Sequence, residues 1–229
     1  MRKNTLIFDL DGTLANTAPD LIATLNRITM PYGLEPVELK DVSQMVGHGA
    51  KAMIEKAFSI KNRELSSTLH DALFENFVED YSSNLANETH IFDGALEAMD
   101  RLNDKGYKFC VCTNKMEFLS QNLLDQLGAL KRFHAIAGGD TFSFRKPDPR
   151  HLEETVKMMG RDINSAIMIG DSSTDINAAK NAGIPSVAVT FGYSDKPVNL
   201  LGATCVINHF SELDNAIEQI QSINQAAAP

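Results

Sequence analysis

Cysteine is scarce in this 229-residue chain, with only Cys110, Cys112 and Cys205 present. An odd number without framework spacing excludes a disulfide scaffold and fits thiols kept reduced in a cytoplasmic protein. Cys110 and Cys112 lie in Tyr107-Lys108-Phe109-Cys110-Val111-Cys112, which reads as a buried strand, and no second ligand pair completes a metal site. No run of about 18 apolar residues exists, so no membrane-spanning helix is expected. Behind Met1-Arg2-Lys3-Asn4 too few apolar residues precede Asp9 to make the core of a secretory signal. Positive charge is short as well. A net charge of −9 argues against binding nucleic acid or an anionic membrane through bulk electrostatics. An anionic substrate therefore needs a local cation. The phosphate-cradling pattern G-x-x-x-x-G-K-[ST] is missing, which excludes a nucleotide-triphosphate motor of that type. There is neither an internal repeat nor a low-complexity tract.

What is present suits a globular protein: 43% hydrophobic and 22% charged residues supply one good core, or a core with a smaller attachment. The organising stretch is Leu6-Ile7-Phe8-Asp9-Leu10-Asp11-Gly12-Thr13-Leu14. Its apolar lead reads as a short, fully buried strand of a parallel sheet. Gly12 lets the backbone turn where that strand ends. Strand side chains alternate, so Asp9 and Asp11 point to one side of its carboxyl end. Two carboxylates there are costly unless a metal or a reaction uses them.

Thr17, Pro19 and Asp20 then carry the signals of a helix start: a capping hydroxyl, a first-turn proline and a capping-box acid. From there to residue 86 no strand pattern appears. Leu21, Leu25 and Ile28 form one helical stripe. Ala52, Met53, Lys56 and Ala57 with Ile54 and Phe58 form a second, and Leu69, Leu73, Phe77 and Tyr81 a third. Residues 16–86 are expected to be a small helical insertion, with 1–15 and 87–229 forming the core. Beyond the insertion, strands at Tyr107–Cys112, Phe133–Ala137, Ala166–Ile169, Ser186–Thr190 and Cys205–Ile207 alternate with helices, the last over Ser211–Ile223. That alternation predicts an α/β fold, a parallel sheet with helices on both faces. The tail 225–229 is expected to fray.

In such sheets the active site lies outside the carboxyl ends of the strands. Four polar clusters follow apolar strands directly: Asp9 and Asp11; Thr113-Asn114; Arg145-Lys146-Pro147-Asp148-Pro149 after a short loop; and Gly170-Asp171-Ser172-Ser173-Thr174-Asp175. A single acid at a strand end is commonly a helix cap, but this complementary set suggests phosphoryl transfer. Asp9 and Asp171, helped by Asp175, make an oxygen-rich site for Mg²⁺, which shields a phosphate from an attacking carboxylate. The Thr113 hydroxyl, the backbone N–H groups around Asn114 and the Lys146 ammonium can hold phosphate oxygens.

In order, these clusters resemble the four motifs of the haloacid dehalogenase superfamily. Within it the chain is similar to the phosphoglycolate phosphatase branch, through Phe8 to Leu14 with Ala18-Pro19-Asp20-Leu21, Val46-Gly47-His48-Gly49, Thr113-Asn114-Lys115 and Lys146-Pro147-Asp148-Pro149. The resemblance implies a Rossmann-like core with a helical cap inserted after the first strand. It implies Asp9 as a nucleophile that becomes an aspartyl-phosphate, and Asp11 as general acid and base. The Mg²⁺ ligands would be Asp9, Asp171 and the Asp11 carbonyl oxygen, with Asp175 acting through water. Thr113, Asn114 and Lys146 would bind phosphate, and Lys146 would also orient Asp9. Gly47, His48 and Gly49 are either a specificity loop or a plain turn. Lys115 either closes the site or begins a helix, and Arg145 either meets a substrate carboxylate or is a solvated cation.

The second acid separates branches. Relatives that break carbon–halogen bonds lack an acid at the position of Asp11, so phosphate esters are favoured, 2-phosphoglycolate first. Sugar-phosphate mutases of the β-phosphoglucomutase type keep both acids and remain an alternative. So do phosphatases of other small metabolites or of pyrophosphate, and a non-catalytic phosphate or metal binder. Asn16 departs from the acid more common in relatives, which predicts a slightly altered hinge. The partner expected is a small phosphorylated metabolite, the assembly a monomer or homodimer.

Overall fold

Strand β1 (Thr5–Phe8) is fully buried, and its apolar side chains Leu6, Ile7 and Phe8 each contribute about 1.5–3 kcal/mol by leaving water. The computed structural model describes residues 4–39, 41 and 45–226. After β1 come β2 (Ala15–Asn16), α1 (Ala18–Thr29), α2 (Ala50–Ile60), α3 (Ser67–Ser83), β3 (His90–Ile91) and α4 (Ala95–Asp104). They are followed by β4 (Lys108–Cys112), α5 (Glu117–Gln126), β5 (Ala135–Ala137), α6 (Pro149–Met158), β6 (Ala166–Gly170), α7 (Ser173–Asn181), β7 (Ser186–Val189), β8 (Cys205–Ile207) and α8 (Leu213–Ala226).

The main sheet has the order β5-β4-β1-β6-β7-β8, with every neighbouring pair parallel. The expected parallel α/β fold is borne out. The central strand sets the register: Leu6 lies opposite Phe109 on one side and Ile167 on the other. Phe8 packs edge-on against Phe109 and Phe133, with ring centroids 6.1 and 6.5 Å apart. From β1 the chain moves outward through β4 and β5, then returns to β6 and builds the other half. The reversal opens a crevice at the carboxyl ends beside β1.

Helices α1, α2 and α3 bury the stripes expected of them, with Leu21, Leu25, Met53, Ile54, Leu73 and Phe77 in one apolar cluster with Phe8. A two-stranded antiparallel ribbon, unforeseen in the sequence, joins Ala15–Asn16 to His90–Ile91 where the chain leaves for these helices and returns. Short 3₁₀ turns trim the expected ends: Leu130–Arg132 precedes β5, and Phe210–Glu212 precedes α8. Helix α8 continues to Ala226, so the expected fray does not include residues 225 and 226, and 227–229 lie outside the described residues.

The capping box at Thr17 and Asp20 does not form. Thr17 has φ −94° and ψ −8°, a helical backbone from which its side chain makes no cap hydrogen bond. Asp20 instead accepts from the backbone N–H groups of Glu88 and Thr89 at 3.0 and 2.9 Å, and from the Thr89 hydroxyl at 2.8 Å. It ties the start of α1 to the segment returning from α3. Asp20→Ala leaves these donors unpaired and should cost about 2 kcal/mol or more. A lowered urea midpoint at unchanged slope would show it, with Asp20→Asn losing less.

Candidate functional site

Each polar cluster lands at the carboxyl end of its strand. Asp9 follows β1, Thr113 and Asn114 follow β4, Lys146 lies between β5 and α6, and Asp171 follows β6. Asp175 enters from the first turn of α7. The carboxylates of Asp9, Asp171 and Asp175 are all buried, and one oxygen of each lies within 4.8 Å of the others. Lys146 sits among them. Its Nζ is 2.8 Å from Asp9 Oδ1 and 2.6 Å from Asp175 Oδ1, with the side chain 1% exposed.

These groups differ in how fully they are satisfied. Asp175 accepts Lys146 on one oxygen, and the Ser172 N–H and hydroxyl on the other at 3.1 and 2.7 Å. Asp171 accepts the Tyr193 N–H at 2.6 Å and the Thr13 hydroxyl at 3.3 Å. Asp9 Oδ1 has no aligned hydrogen-bond donor despite its ion pair with Lys146. Burial pushes the Asp9 carboxyl up to about 6, with Asp175 adding to the shift and Lys146 opposing it. Burial, then Asp175 and Asp9, raise Asp171 well above the carboxylate range. Burial alone would lower the Lys146 ammonium, but Asp175 and Asp9 outweigh it and hold it above its ordinary value.

Asp11 lies at the edge of this cluster. Lys115 Nζ donates to Asp11 Oδ1 at 3.0 Å and to the Tyr81 hydroxyl at 2.9 Å, and stands over the Tyr81 ring at 4.4 Å. Tyr81 belongs to α3, so the helical segment reaches the chemistry through this lysine. Burial pushes the Tyr81 hydroxyl up to about 12, so it remains a neutral acceptor. Thr113 Oγ1 accepts the Lys115 N–H at 3.3 Å. The Asn114 side chain donates to the carbonyls of Gly47 and Lys146, each at 3.1 Å, and its Oδ1 is buried without a partner. That amide holds the loop before α2 onto the Lys146 backbone.

Gly47 and Gly49 line two adjoining cavities. One, of about 10 Å³, is bounded by Asp9, Asp11, Thr113, Asn114 and Lys115. The other, of about 160 Å³, runs along Leu21, Val46, Met53, Phe77 and Leu119 to Arg145. His48 is exposed and lines neither; Asp195 is held below its ordinary value, against burial, by the Ser173 N–H and hydroxyl. Gly12 is demanded by space as well as by its φ of +83°, since a Cβ there would lie 2.4 Å from Asp171 Oδ2.

Other contributors had weak sequence signals. Tyr193 gives its N–H to Asp171, while its hydroxyl donates to Asn16 and accepts the Ala18 N–H at 3.0 Å. It follows β7, so a search of every strand end would have flagged it. Asn16 thus belongs to the link between Asp171 and α1. His151 is buried. Its Nδ1 accepts the Lys146 N–H and its Nε2 donates to the Gly138 carbonyl, each at 3.1 Å. Burial, and then Lys146, lower its imidazolium to about 4, in keeping with that neutral tautomer. Tyr81 had no signal beyond an apolar stripe. Cys110 and Cys112 are free and buried in β4.

Comparison with known proteins agrees with this arrangement. The family model for haloacid dehalogenase-like hydrolases matches residues 6–189. A phosphoglycolate phosphatase of Mesorhizobium japonicum is 44% identical over 227 residues, 99% of each chain. One of Agrobacterium fabrum is 44% identical over 97% of this chain and 96% of its own. Among solved structures, a predicted phosphoglycolate phosphatase from Haemophilus somnus superimposes with a TM-score of 0.87 at 26% identity, covering 94% of this chain and 98% of that one. A β-phosphoglucomutase from Clostridium difficile gives 0.82 at 21% identity, covering 99% and 100%, a likeness of fold alone. The match runs from β1 through β7 and takes in every motif at their carboxyl ends, and the chain belongs to the haloacid dehalogenase-like hydrolases.

Proposed function

We propose that this protein is a Mg²⁺-dependent phosphatase of small phosphate monoesters, with 2-phosphoglycolate the leading substrate. The observation that carries it is Asp9, a buried carboxylate with an undonated oxygen, set beside Lys146 and two further carboxylates. Such a group is spent on an electrophile or a cation, since one ammonium shared among three buried carboxylates leaves it short of positive charge. The relatives named phosphoglycolate phosphatase, 44% identical along nearly the whole chain, support the substrate.

The donor set fits Mg²⁺: hard oxygen ligands, closely grouped and short of positive charge. Asp9, Asp171 and the Asp11 carbonyl oxygen would hold it, with Asp175 acting through water. When bound, the cation neutralises phosphate oxygens and so lets one anion attack another. Asp9 attacks phosphorus, the ester bond breaks, and the phosphoryl group is carried as an aspartyl-phosphate. Asp11 gives its proton to the departing alkoxide, then takes one from the water that hydrolyses the intermediate. Lys146 and Thr113 hold the phosphate oxygens with the backbone around Asn114, and Lys146 keeps Asp9 aimed. Lys115, tied to Tyr81, fixes the Asp11 side chain where the proton is delivered.

Residues 16–86 act in this reading as a cap over a core of 1–15 and 87–229, excluding water while the intermediate exists. The Tyr81–Lys115 bond and the Gly47–Asn114 bond support that role. The loop Gly47, His48, Gly49 contributes through its glycine backbone. The apolar lining favours a short leaving group over a hexose, whose hydroxyls would lie unpaired against Leu21, Val46, Met53 and Phe77. A cytoplasmic protein acting on a small metabolite, without nucleic acid or membrane and as a monomer or homodimer, fits the negative charge; among the described residues no helix is long and apolar enough to cross a membrane.

Three measurements test this. With Mg²⁺ the protein should release phosphate from 2-phosphoglycolate, and Asp9→Asn should reduce kcat by at least about a thousandfold. Equal turnover by that variant would defeat the reading. Stripping divalent ions with EDTA should abolish release and added Mg²⁺ restore it. Conversion of β-glucose-1-phosphate to the 6-phosphate without phosphate release would instead establish the mutase.

A further inference from the structure

Arg145 and Lys146 are neighbours in sequence but serve different spaces. Lys146 is buried between Asp9 and Asp175, whereas Arg145 is exposed and lines the larger cavity. Its Nη1 lies 3.6 Å from where a Cβ on Gly49 would stand, so the guanidinium rests against the cavity wall. The other cations around that cavity already have carboxylates: Lys115 is 3.0 Å from Asp11 and Lys51 is 3.1 Å from Asp71. Asp140, on the same wall, accepts the Glu117 N–H at 2.7 Å. Among the described residues, Arg145 has no hydrogen bond or ion pair through its side chain.

We propose that Arg145 is the specificity residue that binds a carboxylate on the leaving group, making the preferred substrates phosphate monoesters of short hydroxy acids. The proposal rests on the phosphatase reading of the same site. A guanidinium presents a planar fork that matches a carboxylate with two parallel hydrogen bonds. A net charge of −9 repels a multiply anionic substrate, so each anionic end needs its own cation. Lys146 serves the phosphate end. The two cavities share Asp11, Gly47, Gly49, Asn114 and Lys115, so a molecule only a few bonds long can reach from the Asp9 side to the Arg145 side. Between those ends, the walls at Leu21, Val46 and Met53 face the carbon skeleton.

The experiment compares kcat/KM for 2-phosphoglycolate with that for 2-hydroxyethyl phosphate, which keeps the two-carbon skeleton and replaces the carboxylate with a hydroxymethyl group. Wild type should prefer the first. Arg145→Gln should reduce that preference at least about tenfold, mainly through KM, because the carboxylate takes no part in the chemistry. Arg145→Lys should keep part of it as a point charge without the fork. An unchanged ratio in Arg145→Gln, or an equal loss on both esters, would overturn the assignment while leaving the phosphatase reading intact. Hydrolysis of neither ester by wild type would remove the phosphatase reading itself, and this proposal with it.

Discussion

The position of Lys146 among buried carboxylates is the constraint on which the rest of the site depends. One ammonium faces Asp9 and Asp175 directly, and Asp171 completes the group. Removing ions from water costs several kcal/mol each, and a single cation does not offset three carboxylates. The imbalance appears in the direction of the shifts: Asp9 and Asp171 are raised while Lys146 is held above its ordinary value. His151 and Asn114 grip the Lys146 backbone through its N–H and carbonyl, so the ammonium cannot drift from this position.

Around that ion cluster, further hydrogen bonds connect distant pieces of chain. Tyr193 joins Asp171 to Asn16 and to the first turn of α1, and Asp20 joins that turn to Thr89. Tyr81 reaches Asp11 through Lys115, and Asn114 reaches the loop before α2 through the Gly47 carbonyl. Besides the apolar cluster it shares with Phe8, the helical segment meets the carboxyl end of the sheet through single polar contacts, each with a modest net worth of about 0.5–1.5 kcal/mol, or about twice that where a charge is involved. The sheet, whose β1 and β6 are wholly buried, is held much more strongly. Polar contacts of modest strength are consistent with the cap role proposed for residues 16–86.

The strand ends were legible because apolar runs terminate in polar residues, a purely local pattern. Asp9, Thr113, Lys146 and Asp171 were all found that way. Partners distant in sequence were not. Asp20 meets Thr89 across 69 positions, and Tyr81 meets Lys115 across 34, which no local periodicity records. The capping motif shows the limit most clearly. Thr17 with Asp20 and Ser172 with Asp175 have the same spacing, yet only the second forms a capping box. Ser172 has an extended backbone, φ −119° and ψ 165°, which turns its side chain toward the helix N–H groups. Thr17 is already helical, because Asp20 is claimed by the returning segment and Ala18 by Tyr193. Tertiary contacts decide between two identical local signals.

The same reasoning explains why the site burdens the fold. The Asp9 carboxyl has a folded value of about 6 against an ordinary 3.8, so the folded chain holds its proton more tightly than the unfolded one. Between those values the folded state binds more protons, and the stability contributed by this group falls as pH rises through the window. At neutral pH the protein thus carries an ionised Asp9 at a cost to folding. The buried apolar strands β1, β4 and β6 offset that cost, since their residues are nearly all removed from water. A carboxylate kept ionised, dehydrated and short of donors gains most from a cation or an electrophilic phosphorus placed beside it. The instability of the resting site and the reactivity proposed for it have one cause.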